Sequence, residues 1–248
     1  MQIDSHMTFA PSWDSLSIAM LVAAPSPHPV LTHYPPAHTS KLGGVGPRIC
    51  DPLIADSSIE AQIVRLAGAP TFESTVGPTP RFAPFVAAGY FVAHSNFLRD
   101  VPFDPLLPWI FMGEEISISA RLFTSGYDIF SPTQAVTGHI YVRRHKPKFW
   151  ETFGRVFKPG LHNPVQALVI QRIKYTLGYP ESAADMLSPA TLLTGIERYG
   201  MGRERKLAQY MEMVGVDVVE KKVTKQEGNW CHKGMPPKGF EQFNRLYM

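Results

Sequence analysis

The sequence predicts an α/β fold, with a core of mixed strands and helices to about residue 145 and a helical extension over 146–248. Two observations carry this. Up to residue 145, short apolar runs such as Pro29 to Tyr34 and Arg81 to His94 alternate with helix-period segments over 12–23 and Glu115 to Ser125. Beyond it the patterns turn helical. Val165, Leu168, Val169 and Ile173 recur at helical spacing before Gly178, and Leu207, Tyr210, Met211 and Val214 do so before Gly215.

At 248 residues the chain suits one large domain or two small ones. With 44% hydrophobic and 18% charged residues it can bury a sizeable core and is too apolar for disorder. Gly 19 and Pro 23 imply many loops. A net charge of +3 tolerates a nucleotide diphosphate without demanding one. The basic residues are scattered and no nucleic-acid module appears, which argues against nucleic acid as a partner. Cys50 and Cys231 are too few for a disulfide framework and say little beyond permitting a reducing compartment. No apolar run is long enough to span a membrane. Leu16 to Ala24 imitates a signal peptide, but Asp4 and Asp14 precede it where basic residues belong.

In order, Gln2-Ile3 reads as a strand end that breaks at Asp4-Ser5-His6. Trp13, Leu16, Met20 and Leu21 share a helix face, with Ser12 as N-cap. Pro29 to Tyr34 is a strand ended by Pro35-Pro36, and 37–58 is an irregular loop. Arg81 to His94 is a buried strand interrupted at Ala87-Ala88-Gly89, where a glycine marks close approach of a ligand or backbone. The Glu115 to Ser125 helix buries Ile116, Ala120 and Phe123 and ends at Gly126. Tyr127 to Phe130 and Ala135 to Arg143 are strands, and Thr137, His139 and Tyr141 share a face of the second.

Three pieces carry chemistry. Asp4 and His6 at a turn can face one ion, and a carboxylate with an imidazole suits Mn²⁺ better than Mg²⁺ or Ca²⁺. Taken alone, a solvated turn explains them. Glu114 and Glu115 open a helix, where they complement its dipole or face a cleft. His139 lies in a strand followed by Arg143 and Arg144, either a satisfied histidine and a solvated cluster or a metal ligand and a diphosphate clamp.

In combination these pieces resemble a known family. The chain shows Asp4-Ser5-His6, then Ala87 to Phe91 (AAGYF), Phe103-Asp104-Pro105, Phe111 to Glu115 (FMGEE) opening a helix, and Gly138 to Arg143 (GHIYVR). This is similar to GT-A glycosyltransferases of the polypeptide GalNAc-transferase type, with their D-S-H, A-G-G-L-F, W-G-G-E-N and G-H-V-F-R motifs. It more closely resembles the GlcNAc-transferases that glycosylate hydroxyproline on a cytosolic ubiquitin-ligase adaptor. Gln2 to Met7 (QIDSHM), Leu31 to Pro36 (LTHYPP), Val101 to Thr133 and Glu197 to Gly202 (ERYGMG) carry that closer likeness.

The resemblance implies a GT-A-like mixed sheet, a UDP-GlcNAc donor, a protein acceptor, a divalent metal such as Mn²⁺ and a cytoplasmic setting. It places the metal on Asp4, His6 and His139. Glu114 and Glu115 fall on the motif's glutamate and asparagine, as positioning groups rather than nucleophiles. Phe111 becomes a stacking surface, Gly89 the bare backbone beside the donor, and Arg143 and Arg144 the diphosphate holders. Met112 in place of a glycine and the acidic Glu115 leave the donor sugar open. The alternatives are a GalNAc-transferase-like enzyme with another acceptor and a non-catalytic protein-binding remnant. GT-A domains carry a uridine-binding βαβ half before the metal motif, on the order of a hundred residues. Here the motif stands three residues after Met1, so that half is expected to be missing. Bare strand edges are then expected near Ile3 and at Val30 to Leu31.

Overall fold

The computed structural model describes residues 1–54, 63–67, 79–142, 148–149, 151–152, 162–180 and 189–240. Its centre is β3 (Pro29–Thr32). This strand pairs antiparallel with β7 (Tyr90–Ala93) on one side and parallel with β8 (Asp128–Ser131) on the other. β1 (Gln2–Ile3) adds antiparallel to β7, and β6 (Arg81–Phe82) antiparallel to β8. The result is a mixed five-stranded sheet in the order β1-β7-β3-β8-β6. Two small antiparallel pairs flank it: β2 (Met7–Phe9) with β9 (Thr137–His139), and β4 (Pro52–Ile54) with β5 (Val64–Leu66).

Alternation of side chains along each strand divides the core in two. Leu31, Phe130 and Tyr90 join one cluster, while their neighbours Val30, Ile129 and Phe91 join the other. Helix α3 (Glu114–Thr124) is buried nearly all round and serves both. Its Ile116, Ala120 and Phe123 enter the first cluster, as their spacing predicts, and Ile118 and Leu122 enter the second. Gly126 follows the helix at φ 86°, where a side chain would be strained.

Helix α1 (Trp13–Ala23) forms where expected and buries Met20, but Ser12 stands at φ 55° and its hydroxyl makes no cap hydrogen bond. The Arg81 to His94 run is two strands rather than one. Pro84 has no N–H to offer a ladder, and β6 and β7 sit on opposite sides of β3 and β8. The 37–58 loop hides β4, whose three residues are too few to show a period. Short helix α2 (Phe97–Asp100) follows β7. The expected bare edge at Val30 and Leu31 is corrected: both are fully buried between β7 and β8. β1 does lie at an edge, with Ile3 39% exposed.

The C-terminal portion contains α4 (His162–Thr176), α5 (Pro189–Leu193), α6 (Ile196–Tyr199) and α7 (Leu207–Val214). It is not wholly helical, since β10 (Val216–Asp217) and β11 (Lys222–Val223) form a two-stranded ladder. The sequence predicts a helix from Arg203 to Val214, but α7 begins only at Leu207 because residues 202–205 finish α3 instead. The Glu204 and Arg205 amides both donate to Thr124 O, at 2.9 and 3.2 Å. Arg205 pairs with buried Asp128 at 2.8 Å and lies over the Phe123 and Phe240 rings. Val169, Ile173, Tyr210, Val214, Trp230 and Phe240 all join the first core cluster. A buried ion pair, Arg172 Nε to Asp104 Oδ2 at 2.6 Å, ties α4 to the loop before α3. No helix among the described residues is long and apolar enough to cross a membrane.

The reading of the two cysteines as uninformative is corrected. Cys50 and Cys231 form a disulfide across 181 residues, with Cα atoms 5.5 Å apart. The two segments also meet through Arg48 Nε donating to Cys231 O at 3.1 Å and Gln226 Nε2 donating to Cys50 O at 2.7 Å.

Candidate active site

The Asp4-Ser5-His6 turn joins two ladders. Before it, β1 pairs with β7, and the Asp4 amide donates to Gly89 O at 3.0 Å. After it, β2 pairs with β9 in a register that sets Met7 opposite His139. His6 takes φ 67°, which lets the chain pass from one ladder to the other. The consequence is that the Asp4 carboxylate and the His139 ring, 135 residues apart in sequence (139 − 4), meet at 3.3 Å, Oδ2 to Nε2. Gly138 makes this approach possible, since a Cβ there would lie 2.8 Å from Thr8 Oγ1.

Helix α3 delivers the acids. Its N-cap Gly113 has φ 85°, and a Cβ would meet Ile63 Cδ1 at 2.5 Å, so only glycine fits this junction. Glu115 Oε1 accepts from the Ala88 amide at 3.0 Å and Oε2 from the Tyr34 hydroxyl at 2.8 Å. Glu114 Oε1 accepts from Gln2 Nε2 at 3.2 Å. Gly89 adjoins Asp4, where an added Cβ would stand 3.8 Å from Oδ2. Phe111 is 47% exposed and stacks on Phe149 at 4.9 Å.

Asp4, His6, Gly89, Phe111, Glu114, Glu115 and His139 thus surround one cleft of about 670 Å³. Arg143 and Arg144 lie outside the described residues. Arg65 and Lys148 are cations that do line the cleft. Sequence reasoning passed over them, and also Tyr34, Tyr141 and Gln2. Tyr141 had a signal, its shared face with His139, and their rings meet at 4.4 Å. Tyr34 had only its place at the end of the predicted strand and within the LTHYPP stretch of the resemblance.

The 3.3 Å separation of Asp4 and His139 fits two neighbouring ligands on one ion, since bonds of ~2.0–2.2 Å near a right angle put ligand atoms about 3 Å apart. His6 lines the same cleft. Among the described residues no three His, Cys, Asp or Glu side chains are gathered into a ligand group, so the arrangement present is a dyad with His6 nearby.

Burial raises the Glu115 carboxyl to about 7. The hydrogen bonds from Ala88 and Tyr34 oppose this rise, and the charges of Glu114 and Asp4 add to it. Burial also raises Glu114. Folded Glu115 therefore keeps a proton that the unfolded chain has lost between pH 4.5 and 7. Its contribution to stability is complete below that window, falls as pH rises through it, and is flat above. At ~1.4 kcal/mol per unit the loss is about 3 kcal/mol. Glu115→Gln keeps an acceptor for Ala88 and is expected to remove the slope, gaining on the wild type from pH 5 to pH 8 in urea titrations. Parallel pH dependence in the two proteins would exclude Glu115 as the source.

No curated protein matches the chain. A family model described as glycosyltransferase (GlcNAc) matches residues 1–220, which takes in the whole of the cleft described above. The motif order read from the sequence and the match over most of its length agree: the chain belongs to the GlcNAc glycosyltransferase family, and is a glycosyltransferase.

Proposed function

We propose that the cleft transfers N-acetylglucosamine from UDP-GlcNAc to a protein hydroxyl, that of hydroxyproline, in a GT-A-like domain that uses a divalent ion, Mn²⁺ by the chemistry of its ligands. The observation that supports this is the convergence of Asp4, His139, Gly89 and the α3 acids on one cleft. Asp4 and His139 would hold the ion, with His6 beside them. When bound, it supplies positive charge to the departing diphosphate as the glycosidic bond breaks. Arg65 and Lys148 add positive charge along the same wall. A Cβ at Gly89 would stand in ordinary contact with Pro35 at 3.4 Å and Asp4 Oδ2 at 3.8 Å, so it is the donor's close approach, rather than Asp4, that the bare backbone would serve. Phe111 offers a flat apolar face at the cleft's rim to the sugar or acceptor ring.

The resemblance to enzymes of cytosolic acceptors implies a cytoplasmic setting, yet disulfides persist in oxidising surroundings and are rare in that compartment. The Cys50–Cys231 bridge therefore weighs against the cytoplasmic part of the reading.

The test is mass spectrometry of matched peptides bearing hydroxyproline, proline or serine, incubated with the protein, Mn²⁺ and UDP-GlcNAc or UDP-GalNAc. GlcNAc on the hydroxyproline peptide alone is the expected result. Transfer to serine, or from UDP-GalNAc only, would favour the GalNAc-transferase-like alternative. Gly89→Ala is expected to weaken UDP-GlcNAc binding about tenfold, ~1.4 kcal/mol, at unchanged melting temperature. Equal affinity would remove Gly89 from the donor site.

A further inference from the structure

Between β6 and β7 the chain passes through Val86, Ala87, Ala88 and Gly89, and its backbone is held there by other elements. Ser119 Oγ on α3 accepts from the Val86 amide at 2.8 Å, and Thr32 Oγ1 on β3 accepts from the Ala87 amide at 2.9 Å. Glu115 Oε1 accepts from the Ala88 amide at 3.0 Å. On the other side of the same residue, Gln2 Nε2 donates to Ala88 O at 3.1 Å while also donating to Glu114 Oε1 at 3.2 Å. The next carbonyl, Gly89 O, takes the Asp4 amide at 3.0 Å. Tyr34 completes the set by donating to Glu115 Oε2 at 2.8 Å.

Glu115 directly, and Glu114 through Gln2, are thus tied to the segment that lines the cleft and accepts the Asp4 amide. Both oxygens of a carboxyl carry lone pairs whether or not it holds a proton, so Glu115 can take an amide N–H on Oε1 and a phenol O–H on Oε2 at once. With both oxygens engaged within the protein, the group is a brace. Gln2 ties the second acid to the opposite face of Ala88. Such side chains act by holding another group within a fraction of an ångström of its working place.

We infer that Tyr34 and Gln2 are positioning residues of this cleft: through Glu115 and Glu114 they hold the Ala88–Gly89 segment, and with it Asp4, in the posture the donor meets. The geometry stands by itself, and the consequence for turnover rests on the glycosyl-transfer reading. Tyr34→Phe removes one hydroxyl and leaves Glu115 Oε2 buried without its donor. Gln2→Ala removes both amide contacts. Tyr34 packs its ring against the first core cluster and Tyr34→Phe keeps that ring, while Gln2 lies outside both clusters, so both variants are expected to fold.

The experiment reads two quantities. Amide hydrogen exchange followed by NMR without substrate is expected to show Ala88 exchanging about tenfold faster or more in both variants, with Leu31 in β3 at its wild-type rate. The kcat/KM for transfer from UDP-GlcNAc with Mn²⁺ is expected to fall about 10–100-fold, the effect typical of residues that orient a metal ligand or reacting group. Tyr34→Phe combined with Glu115→Gln is expected to lose no more than the worse single variant, because the tyrosine acts through the acid. Unchanged Ala88 exchange, unchanged turnover with a loosened Ala88, or losses that multiply in the double variant would each overturn the inference. A wild-type protein that transfers nothing would sink the functional reading instead, while the exchange rates still decide the brace.

Discussion

Asp4→Asn is expected to reduce transfer by about a thousandfold, and His139→Ala by a similar factor. Both side chains meet at 3.3 Å in the cleft, and a divalent ion there would contribute several kcal/mol of charge stabilisation to the departing diphosphate, with each 1.36 kcal/mol worth tenfold in rate. Asn keeps the shape of Asp4 and removes the charge, so the fold is expected to survive. The Asp4 side chain is 58% exposed, and an ion pair so exposed contributes little to stability. Calorimetric titration with Mn²⁺ alone gives a second readout, in which both variants are expected to lose the affinity of the wild type. Wild-type Mn²⁺ affinity in Asp4→Asn would remove Asp4 from the metal site. Unchanged transfer in both variants would show that the dyad is structural.

Cys50→Ala combined with Cys231→Ala is expected to cost about 3–5 kcal/mol of folding stability, because the bridge closes a loop spanning 181 residues and removes that much freedom from the unfolded chain. Alanine is the appropriate replacement, since both cysteines are fully buried and a serine hydroxyl would need a partner. The hydrogen bonds from Arg48 and Gln226, and His232 Nε2 at 2.7 Å from Asp51 Oδ1, remain to hold the two segments together. The native contact is therefore expected to persist in the variant, with the loss appearing in urea unfolding midpoints. Reduction of the wild type by a dithiol is expected to give the same shift. A difference under ~1 kcal/mol would mean that the unfolded chain keeps these segments together without the bond. β4 begins two residues after Cys50, and its partner β5 presents Arg65 to the cleft. A fall in activity on reduction that exceeds the fall in folded fraction would show that the tail supports the site.

Local chemistry was legible wherever a single residue decides the backbone. Gly126, Gly178 and Gly215 close helices at positive φ, as their places after apolar periods imply. The stripe of Ile116, Ala120 and Phe123 was readable because helical spacing alone puts those side chains on one face. What escaped were elements too short to carry a period, such as β4 and β5, and breaks whose cause lies elsewhere in the chain. Arg81 to His94 reads as one interrupted strand because apolar residues fill both of its halves, although β6 pairs with β8 and β7 with β1 and β3. Arg203 has helical company in sequence, but its segment is recruited to the end of α3 by Thr124 and Asp128.

Of the site, the sequence by itself determined which residues bear the chemistry: a carboxylate and an imidazole at one turn, a histidine on a strand, two acids opening a helix and a glycine before a buried strand. Their types and order can be read because metal affinity, acidity and backbone freedom are properties of single residues. Only the tertiary structure decided what each one touches. The turn at His6 places β1 and β2 in different ladders, and that crossing brings Asp4 to His139. Packing against Ile63 and Ile173 fixes where α3 begins, and so aims Glu115 at Ala88 and Tyr34. Burial among the elements that close around it removes water from that carboxyl and raises its pKa. Contacts across 81 residues, as between Tyr34 and Glu115, or across 181, as between the cysteines, leave no local pattern, because they depend on how the whole chain closes on its core.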